Sequence, residues 1–349
     1  FLRYGLQLSE RKSNEVRALD LGNLYHLAME ELFRELSKRG QSLPELSREE
    51  ACALSDACVL RASEQYNERM MQDSARNRYL LRRISEICRT TVWALSEQLR
   101  RGDFRPAFLE KDFHLTRPGF RLSGRIDRVD LCETEKSIYV KVLDYKSGRT
   151  VFDLNRIYEG LQLQLATYLK VALEELQRDY PGKEVLPAAM FYYRIDDPIL
   201  DYVPGEDEDG GEDRRLRALR VDGLVNADRE VISHLDREFQ KESRVIPVTL
   251  REGKVEERKK AIATTRRFSA LMDFVEKRME RDAAEIRGGE ISVNPIRESP
   301  ERSACDYCPY HSICGFDPML EGYSYRRSGK KKTEEIWQEL TEEREDSAP

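Results

Sequence analysis

Two runs of alternating apolar and polar residues follow one another within residues 120–148, which read FRLSGRIDRVDLCETEKSIYVKVLDYKSG. A polar turn at 133–136 separates them, and a third run precedes them across Arg117-Pro118-Gly119. Alternation is typical of strands with one buried face, because successive side chains of a strand point to opposite sides. We therefore predict a three-stranded meander, with strands at 108–115, 120–131 and 137–146.

Charged residues occupy the second and third of these strands. Asp144 and Lys146 are two residues apart near the end of the third strand, so they share one of its faces and lie side by side. If the neighbouring strand supplies Asp127 from the same end of the sheet, two carboxylates converge beside a lysine. The residues Ile138, Val140 and Val142 precede Asp144 on the same face, so the charged pair stands where that face leaves the core.

Two carboxylates beside a lysine suit metal-dependent hydrolysis of a phosphodiester. Mg²⁺ or Mn²⁺ binds carboxylate oxygens, lowers the pKa of a coordinated water and polarises the phosphate. Lys146 would orient the attacking water and stabilise charge on the phosphoryl oxygens. The alternative is a solvated Asp–Lys pair at the edge of a hairpin, which is the commoner role of such residues. From the residues alone, both interpretations stay open.

The composition excludes a membrane protein and gives no overall electrostatic support for a nucleic-acid partner. The 349 residues are 40% hydrophobic and 36% charged, and 65 Asp and Glu against 59 Lys and Arg give a formal net charge of −6. The longest apolar stretch, near 187–193, is far shorter than the roughly 20 residues of a spanning helix, and there is no basic-then-apolar export signal. We expect a soluble, cytoplasmic chain in which any DNA site is a local positive patch.

The rest of the chain is predicted to be mostly helical. Residues 20–101 show helical spacing, with Asp20 as a candidate cap, a break at Pro44 and Ser47, and later helices at 61–72 and 78–99. A helix at 154–179, a buried strand at 186–195 that returns to the sheet, an acidic loop at 205–213 and helices at 228–240 and 254–287 follow. We expect a loosely held polar tail over 326–349.

These elements predict an α+β fold with a central mixed sheet flanked by helices. The predicted units are an N-terminal helical part (1–103), a catalytic core (104–200), an acidic loop with a helical extension (201–292), a cysteine region (293–321) and a polar tail (322–349).

Three of the seven cysteines lie close together near the end of the chain. Cys305, Cys308 and Cys314 fall within ten residues, whereas the other four are scattered. Clustered thiols in a cytosolic chain favour metal binding over disulfides. His311 lies between them and would complete a Cys₃His zinc site, so zinc is one candidate metal.

Asp127 followed by Asp144-Tyr145-Lys146 resembles the core motif of the PD-(D/E)xK nucleases, and the surrounding residues resemble their RecB-type branch. More specifically, the chain is similar to the C-terminal nuclease domains of the AddB proteins of bacterial ATP-dependent helicase–nucleases. Gly22-Asn23-Leu24-Tyr25-His26 corresponds to the family's histidine motif, Gln164 and Tyr168 to its Gln-x-x-x-Tyr motif, and the three C-terminal cysteines to its cysteine cluster. The resemblance covers essentially the whole chain.

The resemblance implies a set of metal ligands and catalytic groups. His26, Asp127, Asp144 and the backbone carbonyl of Tyr145 would hold Mg²⁺ or Mn²⁺, and Asp127, Asp144 and Lys146 would be catalytic. Glu110, on the first strand, matches an acidic position of the family and would be a second-metal or structural carboxylate. Without the resemblance, His26 would be interpreted as a packing residue, and Gln164 and Tyr168 as polar residues on one helix face.

The family also implies a [4Fe–4S] cluster held by Cys305, Cys308, Cys314 and a fourth Cys upstream of Phe1. The chain begins without an initiator Met, and we interpret it as a fragment of a longer protein. The cluster would tie the start of the chain to its end. This prediction competes with the zinc site.

The family implies that Gln164 and Tyr168 lie beside the scissile phosphate and that the domain degrades the 5′-ended single strand at a double-strand break. The motor activity would lie upstream and in a partner AddA protein, and no Gly-x-x-x-x-Gly-Lys-Ser/Thr loop is present here. Arg125 and Arg128 bracket Asp127 and are our preferred phosphate contacts, the alternative being a solvated strand face. The rival functions are a free-standing or CRISPR-associated RecB-like iron–sulfur nuclease, and a catalytically inactive DNA-guiding scaffold.

Overall fold

The computed structural model describes residues 18–65, 74–205, 207–251, 254–255, 261–306 and 308–345. Its helices are α1 (Ala18–Arg39), α2 (Arg48–Gln65), α3 (Ala75–Arg101), α4 (Leu154–Tyr158), α5 (Gln164–Asp179), α6 (Glu208–Ala218), α7 (Arg229–Leu235), α8 (Thr265–Arg287), α9 (His311–Cys314) and α10 (Thr333–Glu345). Its strands are β1 (Arg105–Arg117), β2 (Phe120–Glu133), β3 (Ser137–Lys146), β4 (Glu184–Arg194), β5 (Asp222–Asn226), β6 (Leu250–Arg251), β7 (Lys254–Val255), β8 (Ile262–Ala263), β9 (Ile296–Ser299), β10 (Arg302–Ser303) and β11 (Arg326–Arg327).

The main sheet has six strands in the order β1-β2-β3-β4-β5-β8. The predicted meander is confirmed, since β1 pairs antiparallel with β2 and β2 antiparallel with β3. The turn between β1 and β2 passes through Gly119, whose φ of +93° favours glycine. The predicted return strand is confirmed as β4, which pairs parallel to β3 and brings the ends of both strands to the same edge. Antiparallel β5 and parallel β8 complete a mixed sheet.

Helices cover both faces of this sheet, so its central strands are buried on both sides. On one face, Leu143 and Tyr145 of β3 pack in a core with α1, α2 and α3. On the other face, Val140 and Val142 pack in a second core with α5, α8 and α10. The α+β class with a mixed, helix-flanked sheet is therefore confirmed. None of the helices within the described residues is both long and apolar enough to cross a membrane.

The N-terminal helical layer agrees with the sequence except at its start and near its middle. Asp20 lies inside α1 and is not its cap, so that prediction is wrong. The break near Pro44 is confirmed as a short 3₁₀ turn in which the Ser42 side chain and Glu45 cap each other. Of the helix predicted at 61–72, residues 66–72 lie outside the described residues, and the preceding residues end α2.

Three predicted helices have different bounds, and the acidic loop is partly helical. The helix predicted at 154–179 is divided into α4 and α5, with Gly160 at φ +80° between them. Within 205–213, α6 begins at Glu208, because the Asp207 side chain accepts from the Gly210 N–H and acidic residues in a first turn favour the helix dipole. The helix predicted at 228–240 ends at Leu235. Of the helix predicted at 254–287, residues 256–260 lie outside the described residues, Lys254–Val255 form β7, and the helical part is α8 (Thr265–Arg287).

The expectation of a loosely held tail is wrong. Helix α10 packs against α8 and α4, and Ile336, Trp337 and Leu340 are each at most 1% exposed. The Lys331 Nζ is 2.6 Å from the Glu339 carboxylate and 2.9 Å from the Tyr158 hydroxyl of α4. The segment is mostly polar, so its composition suggested a loose tail. Its three apolar residues are nevertheless at helical spacing and form one buried stripe.

Candidate active site

Three side chains from three separate elements meet at one edge of the main sheet. Helix α1 supplies His26, strand β1 supplies Glu110 and strand β2 supplies Asp127. The Nδ1 of His26 lies 3.3 Å from an Asp127 carboxylate oxygen and 3.8 Å from a Glu110 carboxylate oxygen. One ligand atom of each residue lies within 4.8 Å of the other two. The structure thus brings together three of the predicted metal ligands, including Glu110.

Glu110 reaches this cluster from a distorted point of β1. Pairing of Leu109 with Arg128 and of Lys111 with Ile126 places Glu110 opposite Asp127. Its φ of +44° is in the left-handed region, which a residue with a side chain rarely adopts inside a strand. Such a backbone costs of order 1–3 kcal/mol and persists where the surroundings hold it. Local strain therefore coincides with the position at which Glu110 joins the cluster.

Asp144 and Lys146 lie side by side at the end of β3, as predicted. The Lys146 Nζ is 2.5 Å from Asp144 Oδ2 and 3.1 Å from Gln164 Oε1 on α5. The Gln164 amide donates in turn to Asp144 Oδ1 at 2.8 Å and contacts the Tyr168 hydroxyl at 2.8 Å. Gln164 and Tyr168, one helical turn apart, thus belong to the same hydrogen-bonded group as Asp144 and Lys146.

Burial makes the carboxylates of the site hard to ionise. Asp144 is 1% exposed and Asp127 is 8% exposed. Burial, reinforced by the negative charge of Asp144, raises the pKa of Asp127 to about 7, against the attraction of His26 and a hydrogen bond from the Tyr145 N–H. Burial also raises the pKa of Asp144, although Lys146 opposes the change. With all three carboxylates ionised, the site would carry more negative charge than Lys146 and His26 neutralise, and this excess favours retention of protons.

The surrounding carboxylates also affect His26. Burial alone would lower the pKa of His26, but the nearby Glu110 carboxylate and the charges of Asp127 and Asp144 raise it above its ordinary value. Three carboxylates around one histidine favour its protonated form. This arrangement is expected where a metal ion displaces protons from its ligands on binding.

The atoms that remain available fit a hard divalent cation. Asp144 Oδ2 is buried and accepts no well-aligned hydrogen bond, its Lys146 contact being an ion pair. One Asp127 oxygen accepts the Tyr145 N–H at 2.7 Å, which fixes the orientation of that carboxylate. Carboxylate oxygens with one imidazole are suitable ligands for Mg²⁺ or Mn²⁺.

The two predicted arginine contacts differ. Arg125 is exposed on β2, where its guanidinium pairs with Asp112 at 2.8 Å. Arg128 is 1% exposed and forms a two-pronged ion pair with Asp130, at 2.6 and 2.7 Å, on the opposite face of the sheet. The prediction that Arg128 contacts DNA is therefore wrong, because its charge is buried and already neutralised.

Sequence reasoning also missed the group to which Arg128 belongs. The Lys141 Nζ lies 2.8 Å from Asp130, and the Arg128 guanidinium donates to the Tyr145 hydroxyl at 3.3 Å. The signal was present: the alternation that pairs Asp144 with Lys146 places Arg128 on the side of β2 away from Asp127.

The three clustered cysteines lie far along the chain from these groups. Cys305 and Cys308 occupy a turn after β10, in which the Cys308 N–H donates to the Cys305 carbonyl, and Cys314 ends α9. All three are free thiols, two half-buried and one exposed. Within the described part of the chain, only His26, Glu110 and Asp127 form a group of three whose ligand atoms meet within 4.8 Å. At least two of the three sulfur atoms therefore lie more than 4.8 Å apart.

Comparison with known proteins gives a consistent result. A family model described as the PD-(D/E)XK nuclease superfamily matches residues 1–315. The chain is 37% identical, over 99% of its length and 30% of the relative, to the B subunit of an ATP-dependent helicase/deoxyribonuclease from Lachnoclostridium phytofermentans. It is 33% identical to proteins of the same name from a Thermoanaerobacter species and from Clostridium novyi, over 98% and 99% of its length and 31% of each relative.

The chain spans less than a third of the length of these curated relatives. Their name therefore covers a larger protein than this chain. The family model, in contrast, matches most of the chain and includes the whole group formed by His26, Glu110, Asp127, Asp144 and Lys146. The chain belongs to the PD-(D/E)XK nuclease superfamily.

Proposed function

We propose that this chain is a Mg²⁺- or Mn²⁺-dependent deoxyribonuclease domain. The observation that carries the proposal is the meeting of His26, Glu110 and Asp127 within 4.8 Å, beside the Asp144–Lys146 pair. A structural ion-pair network would pair each carboxylate with a cation. Here three carboxylates and one histidine crowd together, and burial raises the pKa values of Asp127 and Asp144.

His26, Glu110, Asp127 and Asp144 would hold the metal ion, with the Tyr145 backbone carbonyl as a further ligand. When bound, the ion would supply a nucleophile of lowered pKa and polarise the phosphate. The chain's own residues would then position the reactants. Lys146 donates toward the reacting phosphate and stabilises its charge, as a fixed cation does in a site of restricted solvent.

Gln164 would hold this lysine in place. It contacts Lys146 Nζ with its carbonyl oxygen and Asp144 with its amide, so both groups keep one orientation. Tyr168 extends the group along α5 and would lie near the substrate backbone. Arg125 is exposed and could exchange its Asp112 partner for a phosphate, since an exposed ion pair contributes little.

We further propose that the substrate is a single strand with a 5′ end, processed at a double-strand break for homologous recombination in the bacterial cytoplasm. The supporting observation is similarity to proteins whose name joins a helicase to a deoxyribonuclease. That name also supports a partner helicase of the AddA type.

The three thiols support a separate proposal. Cys305, Cys308 and Cys314 would supply three ligands of a [4Fe–4S] cluster that stabilises the domain. A broad visible absorbance band that disappears when Cys308→Ser is introduced would support the cluster. A colourless protein that contains zinc, with His311 as fourth ligand, would contradict it.

An end-labelled single-stranded DNA substrate tests the main proposal. The wild-type protein is expected to cut it with Mg²⁺ or Mn²⁺ and not with EDTA, and Asp144→Ala is expected to abolish cleavage while DNA binding persists. Arg125→Ala serves as a comparison that lies outside the ligand cluster and should chiefly weaken DNA binding. If Asp144→Ala cut at the wild-type rate, the assignment would be wrong. A wild-type protein that bound DNA but never cut it would favour the inactive scaffold.

A further inference from the structure

A cluster of buried charges lies directly behind the candidate active site. Arg128 and Asp130 are 1% and 0% exposed, and the Lys141 side chain is 12% exposed. The Arg128 guanidinium donates two hydrogen bonds to Asp130 at 2.6 and 2.7 Å, and Lys141 Nζ lies 2.8 Å from the same carboxylate. These residues lie on the face of the sheet that α1 covers, opposite the face of Asp127 and Asp144.

Stability alone is a poor explanation for this cluster. Removing charges from water is costly, and well-packed apolar residues in place of a buried ion pair are often equally stable or more stable. A buried guanidinium does offer fixed donors in a rigid plane, which can hold other groups in place.

Arg128 contacts two elements that carry parts of the site. Its Nη1 donates to the Tyr145 hydroxyl at 3.3 Å, on β3. Its guanidinium also lies 4.6 Å from the centre of the Phe33 ring, on α1. Because Phe33 is seven residues after His26, both lie on the same face of α1. One buried cation thus fixes β3 and α1 relative to β2.

Tyr145 connects this anchor to the metal ligands. Its backbone N–H donates to Asp127 at 2.7 Å, and its ring contacts the His26 ring edge-on, with centroids 6.1 Å apart. The phenol therefore lies between the Arg128 guanidinium and the imidazole. A displacement of the ring would move the His26 contact and the strand position that orients Asp127.

We propose that Arg128 and Tyr145 are positioning residues, which hold His26 and Asp127 in the arrangement that a divalent cation requires. Through its hydroxyl, Tyr145 transmits this constraint from the Arg128–Asp130 pair to His26 on the same side of the sheet, and through its strand to Asp127 on the other side. The inference rests on the metal site of the proposed function. It assigns a purpose to buried charges that do not themselves reach the ligand cluster.

Tyr145→Phe tests the inference, since it removes one hydroxyl and keeps the ring and the backbone. Partners that orient metal ligands typically contribute 10- to 100-fold in metal affinity, so we expect Mn²⁺ to bind about tenfold more weakly, as measured by calorimetry. The matched control is Tyr193→Phe. Tyr193 pairs with Tyr145 across β3 and β4, is 0% exposed, and donates only a long hydrogen bond of 3.5 Å to the Thr91 carbonyl. Mn²⁺ affinity in this control should stay within twofold of the wild-type value.

Arg128→Lys provides a second, independent variant, because it keeps the buried positive charge but removes the planar guanidinium and its fixed N–H donors. If Arg128 acts through Tyr145, the protein that carries both Arg128→Lys and Tyr145→Phe should bind Mn²⁺ no more weakly than whichever single variant has the lower Mn²⁺ affinity. In the metal-free protein, the nitrogen NMR signals of His26 should shift in Tyr145→Phe and not in Tyr193→Phe. A His26→Asn variant assigns these signals among the four histidines.

Several outcomes would overturn the inference. These are unchanged Mn²⁺ affinity in Tyr145→Phe, an equal loss in Tyr193→Phe, and losses that multiply in the double variant. A wild-type protein that bound no Mn²⁺ at His26 and Asp127 would instead contradict the proposed function. The two failures are thus distinguishable.

Discussion

Asp127→Asn should make the metal-free protein more stable at pH 8 while it abolishes metal binding. The Asp127 carboxylate is 8% exposed and lies near Asp144, and its pKa is raised from 3.8 to about 7. A group whose pKa is raised in the folded state binds its proton more tightly there than in the unfolded chain. For an acid, stability is therefore lost as pH rises from about 4 through about 7.

The size of this effect follows from the pKa. A rise of about three pKa units corresponds to about 4 kcal/mol at pH 8, where Asp127 is ionised in both states. The pKa of about 7 already includes the attraction of His26, 3.3 Å away. Asparagine removes the charge and can still accept the Tyr145 N–H, but it buries an NH₂ group, which costs about 1–3 kcal/mol where that group finds no partner. We expect a net gain of about 1–3 kcal/mol at pH 8. The gain should shrink as the pH falls from about 7, and it should approach zero only below about pH 4, where Asp127 carries a proton in both the folded and the unfolded chain.

Thermal unfolding in EDTA measures the gain, which should raise the Tm by roughly 2–4 °C for a chain of this length. With Mn²⁺ at 100 times its Kd, the wild-type protein should gain about 2.7 kcal/mol, and Asp127→Asn should gain almost nothing. The difference between the Tm values of the variant and the wild type should then become smaller or change sign. A variant that was no more stable than the wild type at pH 8 without metal, or that gained equally from Mn²⁺, would refute the reasoning.

Three further perturbations separate catalysis, protonation and packing. Lys146→Ala loses the contacts with Asp144 and Gln164 and should slow cleavage of end-labelled DNA on the order of 10²- to 10³-fold; a rate within twofold of wild type would contradict its role. Mn²⁺ affinity should fall by up to about tenfold per pH unit below pH 7, because the proton on Asp127 must leave; calorimetry at pH 6, 7 and 8 would show a flat profile if this were wrong. Trp337→Ala should destabilise the fold by about 3–5 kcal/mol in urea unfolding, since Trp337 is 1% exposed, whereas a loosely held tail would show almost no change.

Local pattern was sufficient to predict the sheet around the site. Strict alternation determines which residues share a face of β3, so the sequence alone predicts that Asp144 and Lys146 lie together. The same rule applied to β2 would have placed Arg128 on the buried face, but its nearness to Asp127 in sequence suggested a DNA contact instead. Adjacent residues of a strand point to opposite faces of the sheet. Arg128 is therefore buried on the face opposite Asp127, although the two residues are neighbours in the sequence.

Other features depend on long-range contacts that a single sequence does not show. His26 and Glu110 are 84 residues apart, and their meeting with Asp127 requires α1 to pack against β1, near the middle of β1 and β2. The left-handed backbone at Glu110 could not be predicted, because this conformation is usually signalled by glycine or asparagine and the residue is a glutamate. Helix α10 was missed because its buried stripe contains only Ile336, Trp337 and Leu340 among polar residues. Tertiary packing, not local preference, determines these elements.

The most direct test of the metal site is anomalous diffraction from crystals of the protein soaked in Mn²⁺. The cluster of His26, Glu110 and Asp127, with the buried Asp144 oxygen beside it, predicts a manganese peak within bonding distance of these side chains. The peak should be absent from Asp127→Asn crystals. Crystals that show no manganese at this position, from a protein that still requires Mn²⁺ to cut DNA, would contradict the account.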